Sequence, residues 1–422
     1  MITRPGYVTA NGTPPARAVR AVIEEHMEGL SRLNRLRAYY DGRHPICARQ
    51  RKSGLPNARL VNGFPHYITT MAAGYLIGSP VTYAAEGRQR LALESVLRDL
   101  RAANIDSVDA ELARDASIFG KGVELIYADE QARARTAALD PRSAFVVYDD
   151  TVACKPLFGV LLTGTCDECG RDGGMRVDVY TATGEARYLC RDALRLEAGD
   201  LVHTRPHYFG GVPMVEYWNS PDERGDFEGV LTLIDAYDQL QSDRVNDKQQ
   251  FVDALLLLYG CTLETDALGR SPGQQLREDK ALALPDSDAR AEWLCKQLSE
   301  SDTEVLRRAL REDIHKMSMI PDLTDEQFAG NSSGVAMKYK LLGLEQLTKV
   351  KERCFREALT QRLERFAAFQ ERRGAPRLNV GEVRVEFHRA LPVNALEEAQ
   401  TVNLLRGLVD DDELRRRLQH ES

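Results

Sequence analysis

"VLTLIDAYDQLQSDRVNDKQQFVDALLLLYG", residues 230–260, decides how the rest of the chain is read. From Glu228 to Gly260 there is no proline, and no glycine between Gly229 and Gly260, so nothing interrupts a helix. At about 1.5 Å per residue it would reach roughly 50 Å, too long for one small core. Apolar residues sit at its ends: Val230, Leu233, Ile234 and Tyr237, then Phe251, Val252, Leu255 and Leu258. The middle, SDRVNDKQQ, is almost wholly polar. Six acidic residues (Glu228, Asp235, Asp238, Asp243, Asp247 and Asp253) face only Arg244 and Lys248. Local pairs such as Asp243 with Asp247 are like-charged and unfavourable. Something beyond local pairing must hold this helix, most naturally neighbouring copies of the chain.

The surrounding chain is ordinary in bulk. Its 422 residues allow two or three domains, and 43% hydrophobic with 28% charged content is globular. A net charge of −8 disfavours a module that grips nucleic acid by charge neutralisation. The N-terminal sequence lacks a signal-peptide layout, and "YITTMAAGYLIG" (67–78) is too short to span a bilayer. The eight cysteines are expected as reduced thiols of a cytosol-made, soluble protein.

Helices are expected at 16–40, closed by Asp41-Gly42, and at about 66–77, 88–103 and 107–118. A basic, polar loop, "RHPICARQRKSGLPNAR" (43–59), separates the first two. Short β-prone runs follow at 123–128, 144–150, 157–164, 175–182 and 186–190. Helices followed by a strand meander give an α+β, mainly helical class. Beyond the long helix come a mixed segment (261–300), a helix at 303–319, a polar loop, a second very long helix at 335–373 and a strand at 382–392.

The loop "GNSSG" (330–334) opens into a helix with Lys338 and Lys340 nearby, which superficially resembles a phosphate cradle. Gly330 and Gly334 are one residue too close for a nucleotide loop, and no Lys-Ser/Thr follows. Ser332 or Ser333 is better explained as a helix N-cap. Cys154, Cys166, Cys169 and Cys190 fall within 154–190, and "CDECG" is a C-x-x-C in a tight turn. That spacing suits two thiolates on one tetrahedral ion, so structural zinc is the one cofactor these residues suggest; none is required. The alternative is small buried side chains on adjacent strands. No nucleophile elbow, dinucleotide fingerprint or H-E-x-x-H accompanies them, and no enzymatic activity is expected.

The order of motifs resembles the portal proteins, or head–tail connectors, of long-tailed double-stranded-DNA bacteriophages. The resemblance rests on "RAYYDGRHPI" (37–46), "RLVNGFPHYITTMAAGYLIGSPVTY" (59–83), "ASIFGKGVELIYADE" (116–130), "FVVYDDT" (145–151), the opening stretch, and "SGVAMKYKLLGLEQLTKVKERCF" (333–355). It implies a homo-oligomeric ring of about twelve subunits around a central tunnel. The implied location is the virion, at one capsid vertex. Implied partners are double-stranded DNA passing without sequence specificity, the terminase large subunit, a head-completion adaptor, and the major capsid and scaffolding proteins. No membrane is involved. The implied layout is a wing (1–227), a first stem helix (228–260), a clip (261–300), a second stem helix (301–319), a tunnel loop (320–334), a long wing helix (335–373), and a closing strand with a reduced crown (374–422). Asn331, Ser332, Ser333, Lys338 and Lys340 become the expected DNA contacts. Asp235, Asp238, Asp243 and Asp247 become an acidic stem along which a duplex slides instead of sticking. The rival readings are a zinc enzyme built on Cys154–Cys190 and a non-portal structural ring or adaptor.

Overall fold

A computed structural model describes residues 1–9, 12–52, 55–166, 170, 172–251, 255–259, 290–294, 300–323 and 339–389. The chain divides into two compact units. The first comprises 1–43, 63–231 and 314–422; the second comprises 44–62 and 232–313. The expected wing is thus interrupted, because 44–62 belongs with the long helix and not with its sequence neighbours.

In the first unit, helix α1 (Ala16–Tyr40) starts after Pro15 and stops at Asp41, with Gly42 at φ 74° supplying the left-handed turn. Its buried stripe, Val19, Val22 and Ile23, packs on Phe145, Val147, Phe158, Val160 and Val177. Those residues belong to a six-stranded sheet of β1 (Ile2–Arg4), β5 (Ala144–Asp149), β6 (Pro156–Cys166), β7 (Asp172–Thr181), β8 (Gly184–Cys190) and β9 (Leu201–Pro206), in that spatial order. Every pairing is antiparallel except β1 with β5.

A second core lies under α2 (Phe64–Ile77), α3 (Gln89–Ala102), α4 (Ile105–Phe119) and the 31-residue α7 (Leu342–Arg372). These helices enclose a three-stranded sheet in the order β10 (Met214–Trp218), β3 (Lys121–Ala128), β4 (Ala134–Leu139). "FGKG" is the α4-to-β3 turn: Gly120 sits at φ 89°, and a Cβ there would collide with the Glu223 carbonyl. α7 is locked by Arg362, which is fully buried between Glu124 (2.8 Å) and Asp109 (2.6 Å). Tyr217 donates to the other Glu124 oxygen at 2.6 Å. Both carboxylates favour the charged guanidinium, so Arg362 holds its proton even more firmly than a free arginine. About three turns earlier on α7, Lys351 is bound to Asp226, with both side chains enclosed. A short strand, β13 (Arg384–Glu386), closes this unit against β2 (Thr82–Ala84). It is shorter than the expected 382–392, and the crown region from 390 lies outside the described residues.

In the second unit, α5 spans Leu231–Phe251, about 32 Å, preceded by one 3-10 turn at Glu228–Val230. The expected single helix to Gly260 is therefore corrected. Leu255–Tyr259 forms strand β11, paired antiparallel with β12 (Arg290–Leu294). Four consecutive leucines carry no 3.6-residue stripe, so periodicity could not separate helix from buried strand there. α6 (Glu300–Ser318) matches the expected second helix within a residue or two.

Candidate functional site

Most of the buried polar face of α5 is paired within its own chain, with Asn246 Nδ2 left buried and unpartnered. Asp238, Ser242 and Asn246 are four apart, share one helix face and are fully buried. Each accepts one backbone N–H from the 44–62 segment: Asn62 to Asp238 (2.8 Å), Leu60 to Ser242 (2.9 Å) and Ala58 to Asn246 (2.6 Å). The donors are alternate residues running opposite to the helix. Two extended residues advance about 6.6 Å. Four helical residues advance about 6 Å, so three rungs stay in register. The Ser242 hydroxyl in turn donates to the Asp238 carbonyl at 2.7 Å.

Charge is settled on this face and on the flanking ones. The second Asp238 carboxylate oxygen meets His44 Nδ1 at 2.5 Å, with both side chains wholly enclosed, and Asn62 Nδ2 donates to the first at 2.7 Å. Asp243 accepts from both Arg49 and Arg51 at 2.5 Å. Arg244 lies 3.5 Å from Glu304 on α6, whose carboxyl is held below the usual range mainly by its hydrogen bonds from Arg307. Arg307 also reaches the Tyr237 hydroxyl at 3.4 Å. The support beyond local pairing that α5 requires, expected most naturally from neighbouring copies, comes in this chain from a cis strap, and this strap is the "basic loop" of the sequence.

This changes the acidic stem. Asp238 is enclosed and Asp243 is committed to two arginines, so neither presents free charge on this chain. Asp235 and Asp247 remain partly exposed on α5. The sequence did hold a signal for the strap: small polar residues at a four-residue spacing inside a helix, where they are poor helix formers, invite a partner for each side chain.

Of the expected loop residues, Asn331, Ser332, Ser333 and Lys338 lie outside the described residues. Lys340 stands in the helical turn just before α7, partly exposed and engaged with a partner. The described approach to the segment is well built. α6 ends at Ser318, Met319 adopts a left-handed conformation (φ 59°), Ile320 is fully buried, and Pro321 blocks continuation.

The cysteines separate. Cys154 is in the turn before β6, and Cys166 is the last residue of that eleven-residue strand, so the two stand at opposite ends of the sheet. Cys166 and Cys190 share an end, since β7 pairs Asp172 with Cys166 and Met175 with Cys190. A cluster that includes Cys154 is therefore corrected by strand geometry. Cys169 lies outside the described residues, and among the described residues no group of three metal-binding side chains converges. His207 is a turn residue whose ring nitrogen meets the Thr181 carbonyl at 2.8 Å, and burial pushes its pKa down.

The sequence pattern of the family described as "Phage portal protein, SPP1 Gp6-like" matches residues 20–420. The portal protein of Bacillus phage SPP1 is 22% identical over 385 residues, covering 87% of this chain and 73% of that protein. Among solved structures, a chain in the neck of an empty gene transfer agent (GTA) particle, computed with C6 symmetry, aligns at a TM-score of 0.48 and 14% identity, covering 85% of this chain and 90% of that one. A chain in the virion of a native gene transfer agent particle aligns at 0.48 and 14%, covering 93% of each. No helix among the described residues is long and apolar enough to cross a membrane.

Proposed function

The chain belongs to the SPP1 Gp6-like phage portal protein family, and from that premise we propose that it forms the ring at one capsid vertex through which double-stranded DNA enters and leaves. The observation that carries this reading is the family pattern running nearly end to end, over residues 20–420. The role is structural and needs no catalytic group. Copies meet head to tail around one axis, as closure of a ring requires. α5 and α6 form the stem, and residues 261–300 form the clip that meets the terminase and later the head-completion adaptor.

The stem is stiff before assembly, because the strap already gives Asp238, Ser242 and Asn246 each a backbone N–H within every copy. Copies can then associate through the faces left over, without first ordering the helix. The segment between α6 and α7 supplies the DNA contacts, with Lys338 and Lys340 as the cations and Asn331, Ser332 and Ser333 beside them. A few weak contacts per copy, repeated around the ring, guide a duplex without holding it.

Charge reversal tests the DNA-facing role. Lys338→Glu or Lys340→Glu should lower the fraction of DNA-filled particles by about tenfold or more while rings still assemble. Normal filling with both variants would remove these lysines from the tunnel.

A further inference from the structure

Both ends of the segment between α6 and α7 are held by one short helix. At the outgoing end, the Tyr67 hydroxyl on α2 donates to the Pro321 carbonyl at 2.7 Å and accepts the Leu323 N–H at 3.3 Å. His315, at the end of α6, donates from Nδ1 to the Ile320 carbonyl at 3.0 Å. Its ring is wedged edge-on against Phe64 and Tyr67, with centroids at 5.8 and 5.7 Å. At the returning end, Tyr75, also on α2, is linked through Arg389 to Glu345 in the first turn of α7. Arg389 lies over the Tyr75 ring at 5.6 Å and binds Glu345 at 3.1 Å and Glu352 at 2.7 Å.

Tyr67 and Tyr75 are eight residues apart, about 12 Å along the helix axis. That rigid interval sets where the chain leaves at Leu323 and where it resumes in α7. The outgoing turn also needs holding. Met319 is a side-chain-bearing residue in the left-handed region, a conformation that persists only where its surroundings fix it. Tyr67 and His315 supply that fixing on the next four residues. No motif of the sequence pointed to this arrangement.

We infer that α2 is the common abutment of the loop between α6 and α7, with Tyr67, His315 and Tyr75 as positioning residues that fix its two roots. The functional half of this inference rests on the portal reading, because it assigns the positioned loop to DNA.

The test separates the two halves. Hydrogen exchange on the purified full chain is compared for wild type, Tyr67→Phe, Tyr75→Leu, His315→Leu and His315→Asn. Phenylalanine keeps the ring packing and deletes one hydroxyl; asparagine at 315 can restore a donor near Nδ1. Tyr67→Phe and His315→Leu should raise exchange of the amides of 320, 322 and 323 about tenfold, the scale of one hydrogen bond, with α5 amides unchanged. Tyr75→Leu, which removes the ring beneath Arg389, should do the same at 344–346, and His315→Asn should return close to wild type. Unchanged exchange at both roots would overturn the abutment. The same variants are then built into particles, and the expected result is intact rings with a several-fold drop in DNA filling. Raised exchange with undiminished filling would overturn the positioning role and leave the ring reading standing. Failure of the wild-type chain to form rings would sink the DNA half, while the exchange data would still judge the abutment.

Discussion

Asp238 shows how far a single residue's meaning depends on its partners. By sequence it is one more carboxylate on an acidic helix. In the fold it receives the Asn62 N–H, the Asn62 amide and His44 in a site closed to water. Asp238→Ala should therefore cost about 3–5 kcal/mol in urea unfolding, since it strands the buried His44 and two partly buried Asn62 donors at once. Asp243→Ala, whose partners keep access to solvent, should cost about 1 kcal/mol or less. Asp115 illustrates the opposite case. Burial is the largest influence on it and pushes its pKa up to about 6, with Arg114 the main opposing charge. The native state then holds the proton more tightly than the unfolded chain. Stability from that neutral group is present below about pH 4 and is lost as pH rises through about 6. Asp115→Asn should match wild type near pH 4 and exceed it by about 1–3 kcal/mol at pH 8, measured by denaturant titration at each pH. An equal offset at both pH values would refute the assignment.

The elements were largely legible where caps and breakers bound them. α1 begins at Ala16 and ends at Tyr40 because Pro15 and Asp41-Gly42 bracket it, and β5, β6 and β8 follow their β-prone runs closely. β9, β10 and β13 were missed or misjudged because each is short and borrows its stability from pairing. The strap was illegible for a related reason: extended backbone that pairs with helix side chains leaves no hydrophobic period to read. It makes a sharp prediction at this scale. Leu60→Pro deletes the N–H of the middle rung while tolerating extended backbone, and should raise exchange in the middle of α5 by about tenfold or more. Val61→Pro removes an N–H that makes none of the three rungs and should leave α5 protected. Equal effects of the two would show that the ladder is incidental to the helix.

Across the whole molecule, sequence order is a poor guide to neighbourhood. Residues 44–62 leave the first unit to brace α5, and Arg362 near the C-terminal end joins Glu124 and Asp109 from the first third of the chain. Arg362→Met should destabilise the first unit by about 3–5 kcal/mol, because two carboxylates lose their common cation in a closed site. None of this was accessible to spacing alone. The family motifs, by contrast, were readable because they are local strings in a fixed order, and the family pattern over 20–420 agrees with them. The proposed DNA contacts at Asn331, Ser332, Ser333 and Lys338 lie outside the described residues. The central claim is that copies of this chain close into a ring around a tunnel, and negative-stain imaging of the purified protein tests it most directly. The account predicts rings open at the centre across a range of salt; particles that keep the single-chain mass of 47.2 kDa at every concentration and ionic strength would contradict it.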